Sequence, residues 1–153
     1  MGCDIHSYVE VRKNGRWECQ GWNPFDDWRN YGIFGFLADV RNYSHSPVIT
    51  EPRGLPADVS AEVLEESDGD AHTASWLTIA ELLGYDYERV FWDRRVEREI
   101  TPGHFNGAGL ADEGEGRHLP LRDFLGEGFF RRLDEMAALG DPSDVRMVFW
   151  FDN

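Results

Sequence analysis

The chain has 153 residues, 41% of them apolar, with ten Phe, six Trp and five Tyr, and a formal net charge of −14. That is about one domain's length with enough apolar mass for a packed interior, so global disorder is excluded. The acidity argues against a nucleic-acid binder, no stretch approaches the ~20 apolar residues of a membrane span, and two cysteines are too few for a disulfide framework.

Cys3 and Cys19 therefore read as reduced thiols in a cytoplasmic protein, and no basic region followed by an apolar one marks a secretory signal at the start. The opening Met1-Gly2-Cys3-Asp4-Ile5-His6 leads into a strand predicted from about Cys3 to Arg12. Side chains alternate along a strand, which puts Asp4, His6, Tyr8 and Glu10 on one face and Cys3, Ile5, Ser7, Val9 and Val11 on the other. Lys13-Asn14-Gly15 is a hairpin signal, since a tight turn wants positive φ at both central positions, and Arg16 to Gln20 is the return strand. Tyr31 to Val40 places Ile33, Phe34, Leu37 and Val40 at helical spacing. Ser44 to Asp58, interrupted by Pro47, Pro52, Gly54 and Pro56, reads as irregular. Ser60 caps a short helix through Glu66, Ser67 to Asp70 forms a turn, and Thr78 with Glu81 makes a capping box for a further helix.

Tyr85 to Ile100 mixes aromatic and charged residues in a pattern that leaves helix and strand both open. Thr101 to His118 reads as a mobile, Gly-rich acidic loop. Leu121, Phe124 and Leu125 form a short helical face, and Phe129, Phe130, Leu133, Met136 and Ala137 a longer stripe stopped by Gly140 and Pro142. Val145 to Phe151 is a final strand. Strands at both ends with helices between them predict a single α+β domain over residues 1–153. Its antiparallel sheet would be formed by the N-terminal hairpin and the C-terminal strand, with several short helices packed on it.

Three constellations could carry chemistry. Asp4 and His6, two residues apart on a strand, point the same way and suit general acid–base catalysis or metal ligation. Asp70 and His72 repeat the spacing, so Asp4, His6, Asp70 and His72 would hold a divalent ion such as zinc if the turn folds over the sheet. In that case Asp4, His6 and His72 are the candidate catalytic groups. The alternative is that His6 and His72 hydrogen-bond to carboxylates or backbone and only fix their loops. Arg29-Asn30 before the first helix, Arg41-Asn42 after it, and Arg53 in the Pro/Gly-rich segment suit bidentate capture of an anion, or ion pairing with local carboxylates. Cys3, by alternation, falls on the core side.

The opening hexapeptide followed by a strand resembles that of uncharacterised small proteins encoded by bacteriophages and prophages. So do the blocks Arg29-Asn30-Tyr31 through Val40-Arg41-Asn42, Glu51-Pro52-Arg53-Gly54-Leu55-Pro56 with Asp58 and Ser60, and Asp70-x-His72 with Ser75-Trp76-Leu77. The likeness covers residues 1–83. It implies a phage setting, the host cytosol, and a protein acting on host defence or metabolism, without naming an activity.

Two functions follow. In one, a His/Asp/Arg pocket binds a small anionic ligand, a nucleotide among the candidates, and sequesters it or hydrolyses it with a metal, so that turnover stays open. In the other, the chain is a non-enzymatic acidic inhibitor of a host defence protein, imitating a nucleic acid. Its acidic clusters (Asp26-Asp27, Glu62 to Asp70, Asp112 to Glu115) are scattered over several loops and form no single stripe.

Overall fold

Four strands are built from the two ends of the chain and a stretch between them, as the alternation of the first strand and the apolar run of the last require. The computed structural model describes residues 2–67 and 71–153, the side chains of Ile100, Phe105, Asn106, Gly107 and Ala108 excepted. The expected turn over Ser67–Asp70 lies in large part outside those residues. The chain is α+β, and it divides into two compact units. One is Met1–Arg29, Glu51–Tyr85 and Gly128–Asn153; the other is Asn30–Thr50 and Asp86–Glu127.

In the first unit, β1 (Asp4–Lys13) turns through Asn14 and Gly15 into β2 (Arg16–Cys19). Both turn residues have positive φ, 52° and 76°, a backbone that glycine adopts freely and asparagine tolerates. The sheet runs β2-β1-β8-β3, all antiparallel, with β3 spanning His72–Thr78 and β8 Val145–Asp152. Strand β3 fills the stretch between the expected Ser67–Asp70 turn and the Thr78 helix, to which the sequence pattern assigns no element. Its register slips between His72 and Ser75, where Thr73 takes a φ of 56°, and that bulge breaks the alternation by which a strand is recognised.

The central strand β8 is buried on both faces from Val145 to Phe151. One face joins Ile5, Val9 and Val11 to Met147, Phe149 and Phe151 through the register of β1 with β8. Ser7 on this face accepts a hydrogen bond from the backbone of Phe25, whose ring meets Phe129 of α5 (Glu127–Ala137). The opposite face carries Val148 and Trp150, covered by Val63 of α2 (Ala61–Glu66) with Tyr8, Leu55, Val59 and Trp76 around them. Helix α2 is capped by Ser60, and α3 (Ile79–Gly84) by the full Thr78/Glu81 capping box.

In the second unit, α1 (Tyr31–Ala38) starts at an Asn30 cap and buries Ile33, Phe34, Phe36 and Leu37. Gly35 lets the Asn42 side chain lie against the helix: a Cβ there would come within 2.6 Å of Asn42 Oδ1. The segment 85–118 resolves into strands where the sequence leaves helix and strand open, and it corrects the expected loop over Thr101 to His118. It contains β4 (Val90–Asp93), paired with β7 (Arg117–Pro120), and β5 (Arg95–Thr101), paired with β6 (His104–Leu110). The glycines taken as signs of a mobile loop serve in part as turn residues, with Gly103, Gly114 and Gly116 at φ of 82°, 86° and 72°. Helix α4 (Leu121–Leu125) completes the unit, and Phe124 meets Phe91 edge-on at 5.0 Å.

Candidate functional site

The alternation of β1 places Asp4 and His6 on one face as expected, and each already has a partner. Arg29 donates to both Asp4 oxygens, at 2.8 and 2.9 Å, and holds that carboxyl below its usual range. His6 Nε2 lies 2.5 Å from Oδ2 of Asp152, which is paired with Asp4 at the end of the β1–β8 ladder. The second Asp-x-His pair does not join them. His72 is registered opposite Phe151, which is itself opposite Ile5, so His72 shares the Ile5 face and not the His6 face. Its ring meets Thr73 Oγ1 at 2.9 Å and Asn153 Oδ1 at 3.4 Å. Asp70 lies outside the described residues. Among the described residues no group of three or more His, Cys, Asp and Glu side chains is placed to hold an ion. The expected convergence of Asp4, His6 and His72 on one zinc-type site is thus corrected: the sheet separates the histidines. Cys3 is fully buried on the core side.

The guanidinium and amide candidates divide between the units. Asn30 caps α1 by accepting from the Ile33 N–H. Arg41, with a φ of 51°, donates to the Tyr43 hydroxyl, and Asn42 fixes the turn by bonding Asp39 and the Ser46 backbone. Arg29 belongs to Asp4. Asn30 also borders a cleft of about 390 Å³ in the second unit, and Arg53 opens onto a larger one and is paired with Glu81 through both carboxylate oxygens.

That cleft, of about 750 Å³, lies wholly in the first unit. Three arginines and two tryptophans alternate along it. Arg12 sits over Trp17 at 5.1 Å, Arg146 over Trp17 at 3.9 Å and over Trp76 at 5.6 Å, and Arg53 over Trp76 at 4.7 Å. The order is built by strand register. Arg12 faces Trp17 across the hairpin, and Arg146 faces Glu10 on one side and Thr78 on the other, two residues from Trp76. Arg53 is carried to the edge of β3 by its own segment: its N–H donates to Ser75 Oγ and the Gly54 N–H to the Ala74 carbonyl. Arg146 is buried and bonded to buried Glu10 at 2.8 Å and to exposed Asp58 at 2.9 Å. The other Asp58 oxygen accepts from Trp17 Nε1 at 3.1 Å.

The chain matches no protein-family model, no curated protein and no solved structure.

A guanidinium stacked on an indole turns its N–H edge toward an anion while the ring screens its faces from water, and here those edges hold carboxylates: Arg12 that of Asp144, Arg53 that of Glu81, and Arg146 those of Glu10 and Asp58. An anion would bind by exchanging with one of these carboxylates, beside apolar surface from Leu55 and Pro56, a combination suited to a flat or apolar group bearing negative charge. Of its residues, the sequence reading found only Arg53. Arg12 and Trp17 had a usable signal, because a two-residue Asn14-Gly15 turn forces them opposite each other. Trp76 and Arg146 had none, since they meet only after β3 and β8 have paired.

Proposed function

We propose that this chain is a phage-type accessory protein that binds a small anionic ligand, a nucleotide being the leading class, in the guanidinium–indole cleft. The supporting observation is the gathering of Arg12, Arg53 and Arg146 with Trp17 and Trp76 around one opening in a chain of net charge −14. The mode is sequestration. The groups at the cleft are donors, indoles and carboxylates engaged with arginine, an arrangement that recognises charge and shape. Asp4, His6 and His72, which hydrolysis would need together, lie on two faces of the sheet. Residues 1–83, where the likeness to phage proteins lies, supply Arg12, Trp17, Arg53 and Trp76.

Calorimetric titration of the whole chain with adenosine 5′-monophosphate and with inorganic phosphate tests the reading. A saturable heat with the nucleotide is expected, weakened about tenfold or more by Arg53→Ala and by Trp76→Ala, each removing one stacked or charged contact. No heat at millimolar nucleotide, or equal binding by both variants, overturns the cleft as the site.

A further inference from the structure

Asp58 is placed differently from the other carboxylates of the cleft. Glu10 is buried beneath Arg146, Glu81 is tied into the cap of α3, and Asp144 pairs with Arg12, a donor as exposed as itself. Asp58 instead sits on the irregular segment before α2, with a side chain 68% exposed, yet both of its oxygens are taken by fixed donors of the sheet. Those donors are Nη1 of Arg146, whose side chain is 2% exposed, and Nε1 of Trp17. The donors are held by strands and by burial, whereas the acceptor arrives on a loop. That is the geometry of an anion socket filled from within the chain.

We infer that Arg146 Nη1 and Trp17 Nε1 form the anion subsite of the cleft, and that the Asp58 carboxylate occupies it in place of the ligand's phosphate or carboxylate. The inference rests on the cleft reading above and specifies it. An incoming anion displaces the Asp58 side chain onto the solvent side, exchanging one anion for another on the same two donors, while the Asp58 carbonyl keeps accepting from Arg146 Nη2 at 3.3 Å. The buried Glu10–Arg146 pair is undisturbed, so Arg146 stays aimed at the subsite. Because an internal competitor lowers the fraction of molecules ready to bind, the apparent affinity of the free site is reduced by that fraction. The Asp58 side chain is mostly exposed, so its carboxylate can turn into water when an anion takes its place.

The test is binding of adenosine 5′-monophosphate, followed by tryptophan fluorescence, to wild type, Asp58→Ala and Asp58→Asn. Alanine empties the subsite and is expected to tighten binding roughly fivefold to tenfold, and asparagine, which keeps the shape without the charge, less so. The Trp17 indole N–H resonance should move on addition of nucleotide to wild type and should already be displaced in free Asp58→Ala. If Asp58→Ala does not fold, Asp58→Asn alone carries the comparison. Wild type that binds while both variants bind equally or more weakly overturns Asp58 as the stand-in and leaves the cleft reading intact. Binding by none of the three overturns both.

Discussion

Arg146 has a side chain 2% exposed and two carboxylates within 2.9 Å, one buried and one at the surface. Removing a buried cation leaves its partner charged and desolvated, which costs more than the pair contributes when intact. Arg146→Met should therefore lower stability by about 3–5 kcal/mol in urea unfolding, and Glu10→Gln in the same chain should restore most of it. Glu81 gives a second measurable consequence. The Arg53 side chain, with help from Thr78 and against the opposing effect of burial, holds its carboxyl at about 2 instead of 4.5. Because the folded-state value is depressed, its stabilising contribution is complete above 4.5 and is lost as pH falls toward about 2. Asp58 and Asp4 are depressed in the same direction by Arg146 and Arg29. Melting temperature recorded between neutral pH and pH ~2 should drop over the acid limb, and Glu81→Gln should flatten that limb. An unchanged limb would detach Glu81 from Arg53.

At the scale of elements, what could be read in the sequence was local. The alternation of β1, the Asn14-Gly15 turn and the Thr78/Glu81 capping box each depend on residues a few positions apart, and all three are present. Thr78→Ala should cost about 1 kcal/mol in thermal unfolding, as loss of a helix cap does. Gly15→Val, forcing a β-branched residue to a φ of 76°, should cost roughly 1–2 kcal/mol. What escaped was decided by distant partners. Strand β3 contains His72, Thr73, Ser75 and Thr78 and a bulge, and it is a strand because β8 beside it offers a ladder. The hairpin of β5 and β6 hid behind glycines that mark turns as readily as loops. The candidate site followed the same rule. Asp4 and His6 were correctly placed on one face, but the face of His72 depended on a register that only the folded sheet defines. The row of Arg12, Trp17, Arg146 and Trp76 draws on four strands, so its likeness to a binding surface appears only after folding.

For the molecule as a whole, 29 acidic residues outnumber 15 Lys and Arg, yet three of those arginines share one cleft with two tryptophans. In the proposed reading a net negative chain repels an anion at long range while the cleft binds it at contact. Added salt up to about 0.15 M screens the repulsion first, so the association rate of nucleotide should rise with ionic strength in stopped-flow measurements. A basic-surface mechanism would give the opposite trend. The most direct test of the cleft uses the six tryptophans of the chain as internal reporters, because each indole N–H gives its own resonance. During titration with adenosine 5′-monophosphate, the resonances of Trp17 and Trp76 should shift and saturate together while those of Trp22, Trp28, Trp92 and Trp150 hold still. Saturable shifts at the other four with Trp17 and Trp76 unmoved, or no shift at any of the six, would contradict the account.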